Sequence, residues 1–348
     1  MEHQMMSTEP NETLTTLANT TLAPKTGCID QRNFEWIFTY QPPYMWFIFV
    51  LGFIENLFVI SVFVLHKSRC TVTEIYLGNM AAADLIFVSS LPFRAIYMSS
   101  KYYWPFGGFM CVAIFSLFLL NLYSSIYLLM MVSIERYLAL VKPMSVSWLR
   151  SPRQAKVNCG IIWMFAVGLC LPNMVFRKVK FNKKSNATVC ISDRSSTNWF
   201  AATDIIINVL GFLVPLVVTS FCTSQIICVL RNNSRKLFKK NNKERKAIWL
   251  VLSVFLVFIV CWLPLNISTF IYTLHEFKVF LPCMVKSINS IVYNMSIYLV
   301  YSNSCINPII YSMLGNQFRQ KVREVFRRLL CKGPDRQRSS IMTDESVH

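Results

Sequence analysis

Charged residues are scarce in this 348-residue sequence, because Asp, Glu, Lys and Arg together make up 15% of it. Soluble domains carry about 25%. Apolar residues make up 54%, so the chain has little surface to present to water, and an ordinary soluble protein is excluded. Seven stretches approach the roughly 20 apolar residues of a membrane-spanning helix. They are Tyr44–Leu65, Glu74–Tyr97, Cys111–Val132, Val157–Val175, Ala202–Leu230, Ala247–Thr273 and Ile288–Met313, the last interrupted by many Ser and Asn residues.

The sequence also lacks the signatures of two other classes of membrane protein. The spans contain neither a cluster of His and Glu for a catalytic metal nor a nucleophile beside a general base, and His66 falls in a loop. This pattern argues against an enzyme. Internal repeats, which are typical of transporters, are not apparent either. An ion-coupled transporter therefore stays a remote alternative.

Topology follows from the uneven distribution of the 35 Lys and Arg residues. An extracellular N-terminus puts most of them in cytoplasmic segments, as the positive-inside rule requires. The net charge of +18 then suits anionic inner-leaflet lipid rather than nucleic acid. Residues 1–39 lack a secretory signal pattern, so we expect the first span to target the chain. We predict an all-α membrane protein with an extracellular glycosylated tail (residues 1–43), a seven-helix transmembrane bundle (44–315), an amphipathic surface helix (316–331) and a cytoplasmic tail (332–348).

Covalent modifications are predicted on both sides of the membrane. Glycosylation acceptor triplets begin at Asn11, Asn19 and Asn186. Among the 12 cysteines, four lie on the predicted outer side, where two disulfides with three alternative pairings are expected. Inside the cell, Cys331 follows the amphipathic segment and is either palmitoylated or a free thiol. The four outer cysteines are Cys28, Cys111, Cys190 and Cys283.

A group of polar residues is predicted at one depth within the membrane. With a rise of about 1.5 Å per residue, Asp84 and Ser125 each lie roughly 16 Å from the inner face. Asn121 shares a helix face with Ser125, and Asn303 shares one with Asn307. Together they would form a site of oxygen ligands for water or a sodium ion. The alternative is a hydrogen-bonded polar core that binds no ion.

A second polar group is predicted at the cytoplasmic face. Glu135, Arg136 and Tyr137 end the third span, and Glu244 begins the sixth. An ion pair between Arg136 and Glu244 would hold the two helices together, and breaking it would open a cleft for a partner. The alternative is an interfacial arginine that reaches to water.

These motifs together resemble the rhodopsin-like G-protein-coupled receptors over nearly the whole chain. Within that family, the sequence is most similar to the kinin (bradykinin) receptors. The family motifs are Glu55-Asn56, Leu77, Asn79 to Asp84, Cys111, Glu135-Arg136-Tyr137, Trp163, Pro215, Cys261 to Pro264 and Asn307 to Tyr311. The kinin-type stretches are Cys70 to Asn79, Asn121 to Ser125, Arg136 to Lys142 and Tyr301 to Cys305.

The resemblance implies a plasma-membrane receptor for a peptide agonist. It implies coupling to a heterotrimeric G protein of the phospholipase C class, and partnership with arrestin and a receptor kinase. It assigns Asp84 and its polar neighbours to a sodium-linked site and Arg136 and Glu244 to an inner clamp. Trp262 and Tyr311 match activation switches. The resemblance also implies a Cys111–Cys190 bridge, and a second bridge, Cys28–Cys283, fits peptide receptors.

The expected ligand pocket departs from the bradykinin-preferring type. Tyr272 and Ser290 stand where that type has acidic residues, and Arg94 stands where it has Trp. An angiotensin- or chemokine-like ligand is therefore the alternative. We expect a peptide carboxylate near Arg94 or Arg177 and a basic residue near Asp204 or Glu276. The predicted contacts are Arg94, Leu119, Arg177, Asp204, Trp262, Leu265, Thr269, Tyr272, Asn294 and Tyr301.

Overall fold

The computed structural model of the protein describes residues 35–66, 70–142, 151–183, 186–192, 197–232, 242–277 and 279–330. Asn11, Asn19, Cys28 and Cys331 lie outside these ranges, as do the predicted cytoplasmic tail and residues 1–34 of the predicted outer tail. The described chain forms ten α-helices and one β-hairpin. The helices are α1 (Glu35–Leu65), α2 (Val72–Val88), α3 (Leu91–Ser99), α4 (Gly107–Leu140), α5 (Pro152–Phe176), α6 (Thr197–Asn208), α7 (Val214–Asn232), α8 (Asn242–Glu276), α9 (Cys283–Leu314) and α10 (Asn316–Leu330), and the strands are β1 (Arg177–Asn182) and β2 (Ala187–Ser192).

Helix lengths and composition confirm the predicted all-α membrane fold. Within the described ranges, six helical segments are long and apolar enough to cross a bilayer. The seventh predicted span corresponds to the 32-residue helix α9, whose buried Asn and Ser side chains lower its mean hydropathy. The six apolar segments are Trp36–Leu65, Val72–Ser99, Gly107–Leu140, Pro152–Phe176, Ala202–Val229 and Trp249–His275.

Two spans are interrupted where proline disturbs the backbone ladder. The second breaks between α2 and α3, where the Ser90 hydroxyl donates to the Phe87 carbonyl and Pro92 occupies the first turn of α3. The fifth contains a π-helical segment, Val209–Leu213, just before Pro215. Proline has no backbone N–H, so a carbonyl in the preceding turn loses its hydrogen-bond donor and must be satisfied by a neighbouring group. In the π segment, the Tyr127 hydroxyl donates to the Leu210 carbonyl at 3.0 Å.

Helix α4 lies at the centre of the bundle and packs against α2, α5, α7 and α8. Its side chains Tyr123, Ile126 and Leu128 are fully buried. At its outer end, Cys111 forms a disulfide with Cys190 of β2, as the resemblance implied. Cys283 is also disulfide-bonded, and its predicted partner lies outside the described residues. The Cys111–Cys190 disulfide therefore fastens the β-hairpin to the outer end of α4.

The predicted short amphipathic helix is present as α10, and it is anchored to the ends of α1 and α2. Its Phe318 ring packs edge-on against Phe63, with centroids 5.7 Å apart. The buried Lys321 Nζ lies 2.8 Å from Glu74 Oε2. His66 Nε2 lies 2.8 Å from Glu324 Oε2, and this hydrogen bond lowers the pKa of the Glu324 carboxyl. Two side-chain contacts of carboxylates therefore fix the position of α10.

The Lys321–Glu74 pair gives a stability prediction. Lys321→Met is expected to lower the free energy of unfolding by about 2 kcal/mol, because it leaves a buried carboxylate without its charged partner. The measurement is the thermal unfolding midpoint of the purified receptor. Arg323→Met removes an exposed cation from the same helix and should have little effect. Equal midpoints for the two variants would show that the buried pair does not stabilise α10.

Candidate functional site

A cavity of about 300 Å³ opens among the outer halves of the helices, beside the β-hairpin. All but one of the predicted ligand contacts line it. The exception is Tyr272, whose ring packs edge-on against Tyr293 at 5.6 Å, so that Tyr293 faces the cavity instead. The Glu276 side chain is not among the described ones. The lining contacts are Arg94, Leu119, Arg177, Asp204, Trp262, Leu265, Thr269, Asn294 and Tyr301.

The deep end of the cavity is aromatic. The Trp262 ring is 2% exposed and lies between Phe118, at 5.8 Å, and Phe258, at 5.9 Å. Phe118 also contacts Tyr301 edge-on at 6.4 Å. Pro264 lies within α8, two residues beyond Trp262, and a proline inside a helix is the usual cause of a kink. A ligand that reaches Trp262 would therefore press on the kinked part of α8.

Polar groups on the cavity wall link α6 to α8. Asn208 donates to the Thr269 hydroxyl at 3.2 Å and to the Asp204 carbonyl at 2.8 Å. Asp204 itself lines the cavity on this side. On α9, the Asn294 amide donates to the Ser290 carbonyl at 2.7 Å. Rigid helices therefore hold the acidic and amide groups of the wall.

Positive charge also lines the cavity, from Arg94 and Arg177. The Arg94 guanidinium of α3 lies 4.8 Å from the centroid of the Phe115 ring. The Arg177 guanidinium, at the start of β1, lies 4.1 Å from the same ring. Aromatic faces attract cations by their quadrupole. The cavity thus combines two cations and an acidic residue with apolar and aromatic surface.

Asp84 is the centre of a second, fully buried polar site. Its Oδ1 accepts hydrogen bonds from Asn121, at 2.8 Å, and from Ser304, at 2.9 Å. Its Oδ2 accepts one from Asn307 at 3.1 Å. Ser125 joins the group through Asn121, at 3.3 Å. Three helices that are distant in sequence therefore converge on one carboxylate.

Ser304 is a member of this site that the sequence reasoning missed. The prediction named Asn303, which is buried, but the residue that bonds Asp84 is its neighbour. One residue along a helix corresponds to a rotation of about 100°. Depth alone does not fix that rotation, which depends on how α9 packs against α2.

The inner face places Arg136 within a group of three side chains. Its Nε lies 3.1 Å from Glu135 Oε2, and its terminal nitrogen donates to the Thr73 hydroxyl. Thr73 donates in turn to Glu135 Oε2 at 3.3 Å. Thr73 is a further residue that the sequence reasoning missed. Glu244 belongs to α8, but its side chain is not among the described ones.

The two remaining inner-face residues pack against neighbouring helices. The Tyr137 ring lies 5.9 Å from that of Phe221 on α7. The buried Tyr311 hydroxyl donates to the Met80 sulfur at 3.0 Å. These two contacts therefore join α4 to α7 and α9 to α2.

Comparison with known proteins establishes the family. Residues 55–311 match the 7 transmembrane receptor (rhodopsin family). The chain is 46% identical to the B2 bradykinin receptor of Cavia porcellus, over 90% of this chain and 85% of that protein. It is 45% identical to the B2 bradykinin receptor of Homo sapiens, with 90% and 84% covered. The chain belongs to the bradykinin receptors of the rhodopsin family. It is also 33% identical to the B1 bradykinin receptor of Tupaia minor, with 89% of each protein covered.

This membership confirms the predicted class. The protein is a multi-pass membrane receptor of the G-protein-coupled type and not an enzyme. The family resemblance read from the motifs is also confirmed. The similarity to the B2 receptors exceeds the similarity to the B1 receptor, although Arg94 and Tyr272 depart from the expected bradykinin-preferring pattern.

Proposed function

We propose that the outer cavity binds an extracellular kinin-like peptide and that the bundle passes this event to a heterotrimeric G protein acting through phospholipase C. The observation that supports this most directly is the cavity itself. It combines cations, an acidic residue and deep aromatic surface, which suits a charged peptide with apolar side chains. The relatives' names state bradykinin as the ligand of those proteins.

The orientation of the chain in the membrane is part of the same proposal. The N-terminus lies outside the plasma membrane, which puts the cavity on the extracellular side. Asn186 at the exposed tip of the β-hairpin then has access to glycosylation, together with Asn11 and Asn19. An oxidising exterior also agrees with the Cys111–Cys190 bridge.

On the cytoplasmic side, Arg136 is the cation that a G-protein segment meets when the inner ends of the helices separate. Glu135 and Thr73 hold it in the described state, and we propose Glu244 of α8 as a second acidic partner. Arrestin and a receptor kinase use the same face. The basic side of α10 lies against anionic lipid, and a palmitoyl group on Cys331 would hold its end in the membrane.

The Asp84 cluster is proposed as an allosteric sodium site. Asn307 Oδ1 is buried and makes no hydrogen bond with any other described residue, so it can serve as a neutral oxygen ligand. Asp84 and Ser125 would provide further oxygens. One carboxylate and several neutral oxygens fit a hard cation of single charge.

A calcium-release screen tests the agonist class. Cells that express the receptor are expected to respond to bradykinin at lower concentrations than to angiotensin or chemokine ligands, and phospholipase C inhibition should abolish the response. Untransfected cells provide the control. A receptor that responds only to an angiotensin or a chemokine would overturn the kinin proposal and retain the receptor class.

A further inference from the structure

Gln41 of α1 is a buried polar residue whose side chain makes no hydrogen bond within the described ranges. The residue is 3% exposed, and its buried Oε1 accepts from no described group. Its amide nitrogen donates to none either. Leaving a buried amide unpaired is costly, and buried polar groups of native proteins almost always have a partner. Gln41 is therefore a candidate for pairing with a bound molecule.

The surroundings of Gln41 connect it to the outer cavity. Ile37 and Met45 lie one turn before and one turn after it on the same face of α1, and both are apolar and buried. All three residues line the cavity, as do Tyr97 and Met98 of α3. Helix α1 thus contributes one amide, between two apolar side chains, to the wall of the space that the agonist is proposed to fill.

The chemistry of a side-chain amide narrows the kind of ligand group that would pair with Gln41. An amide has a donor end and an acceptor end and carries no charge. Rotation about its last side-chain bond is easy, so either end can turn toward a ligand. A backbone peptide group is also uncharged, and it offers one N–H and one C=O. The two groups can therefore exchange hydrogen bonds, whatever side chains the peptide carries.

We propose that Gln41 binds a backbone peptide group of the agonist, so that the α1 wall positions the main chain of the peptide rather than one of its side chains. This inference rests on the proposed peptide-receptor function. Ile37 and Met45 keep water from the hydrogen bond on both sides. Because a hydrogen bond is stronger in a dry site, and an unpaired group there is more costly, the contact fixes how the peptide lies along α1.

Backbone esters test this contact, because exchanging one amide N–H for an ester oxygen removes a donor and keeps the length of the peptide. Each analogue in a series of bradykinins carries one ester, at a position whose amide nitrogen bears a hydrogen. Competition binding is measured on wild type and on Gln41→Met, which keeps the side-chain length and removes the amide. Gln41→Met should weaken unmodified bradykinin about 10-fold, or about 1.4 kcal/mol. One ester should weaken binding to wild type by a similar factor and binding to Gln41→Met by much less.

Thermal unfolding without agonist separates ligand binding from a structural role. Gln41 has no partner among the described residues, so Gln41→Met should raise the unfolding midpoint although it weakens the agonist. A residue that only supports the fold would lower the midpoint when replaced. Tyr40→Phe is the matched control, because it removes a hydroxyl from a neighbour that is 64% exposed and does not line the cavity. It should change neither the midpoint nor the ester profile.

The ester profiles decide the outcome. If every ester weakens binding to wild type and to Gln41→Met by the same factor, Gln41 pairs with no backbone group, and the receptor remains peptide-activated. Gln41→Leu is measured in parallel as a second apolar replacement. If neither variant reaches the cell surface, Gln41 supports the fold and the inference is overturned. If wild type does not bind bradykinin, the proposed kinin agonist fails and this inference fails with it.

Discussion

Replacing Arg136 by alanine is expected to lower agonist-stimulated G-protein activation about 100-fold, or about 2.7 kcal/mol. Arg136 lies near the C-terminal end of α4, where the helix dipole favours a cation. In the described state it is held by Glu135, at 3.1 Å, and by the Thr73 hydroxyl. If Arg136 contacts the G protein in the active state, the alanine variant lacks that contact. Agonist-driven nucleotide exchange on purified G protein is the direct measurement.

The control is Arg153→Ala, which removes an exposed cation at the start of α5. It should leave nucleotide exchange close to wild type. Agonist binding measured in parallel separates coupling from ligand affinity. If Arg136→Ala and Arg153→Ala exchange nucleotide at the same rate, Arg136 is an interfacial cation without a role in coupling.

Removing the groups that hold Arg136 is expected to raise signalling rather than lower it. Thr73→Val keeps the shape of the side chain and removes the hydroxyl that accepts from Arg136, so ligand-free signalling should rise several-fold. Glu244→Ala should act in the same direction if Glu244 restrains Arg136 from α8. Basal inositol phosphate accumulation, normalised to surface expression, is the measurement. Basal signalling at the wild-type level in both variants would mean that neither residue restrains the receptor.

Sequence reasoning identified the spans because each is a long apolar run, and the cost of a charge in lipid made Asp84 and Arg136 conspicuous. It did not find Thr73 or Ser304. A hydroxyl in a membrane helix carries little signal, because it can bond its own preceding turn as Ser302 does with the Tyr298 carbonyl. Only the packing of α2 against α4 and α9 turns those two hydroxyls toward Arg136 and Asp84.

In the ligand cavity, too, the sequence predicted which residues are present, whereas helix packing decides where their side chains lie. The sequence predicted Arg94 as a ligand contact, but its position over Phe115 depends on how α3 is rotated after the break at Ser90. Tyr272 was placed toward the ligand by alignment alone. In the structure its ring packs on Tyr293, since the rotation of α8 above Pro264 turns it toward α9. Rotational phase after a proline is set by neighbouring helices, and no local pattern encodes it.

Asp84→Asn is expected to abolish a sodium-dependent loss of agonist affinity. In wild type, sodium should weaken agonist binding by between about 5- and 150-fold, which is a coupling of 1–3 kcal/mol. The ion would bind the resting bundle through Asp84 and Asn307. It would be released on activation, because the helices then move into the space that it occupies. Linkage makes the effect reciprocal, so a ligand that favours the closed state must bind less tightly when sodium is present. Asparagine preserves the shape of the side chain and removes the charge that the cation needs.

Agonist competition curves in sodium chloride and in choline chloride at equal ionic strength measure the effect and remove general screening. Glu55→Gln is the matched control, because it neutralises another carboxyl within a span and lies outside the hydrogen bonds of Asp84. Its sodium dependence should equal that of wild type. Ser304→Ala should keep part of the effect, since it removes one donor to Asp84 and no charge. If wild type and Asp84→Asn respond identically to sodium, the cluster is a hydrogen-bonded core that joins α2, α4 and α9 without an ion, and its role is to fix the packing of those helices.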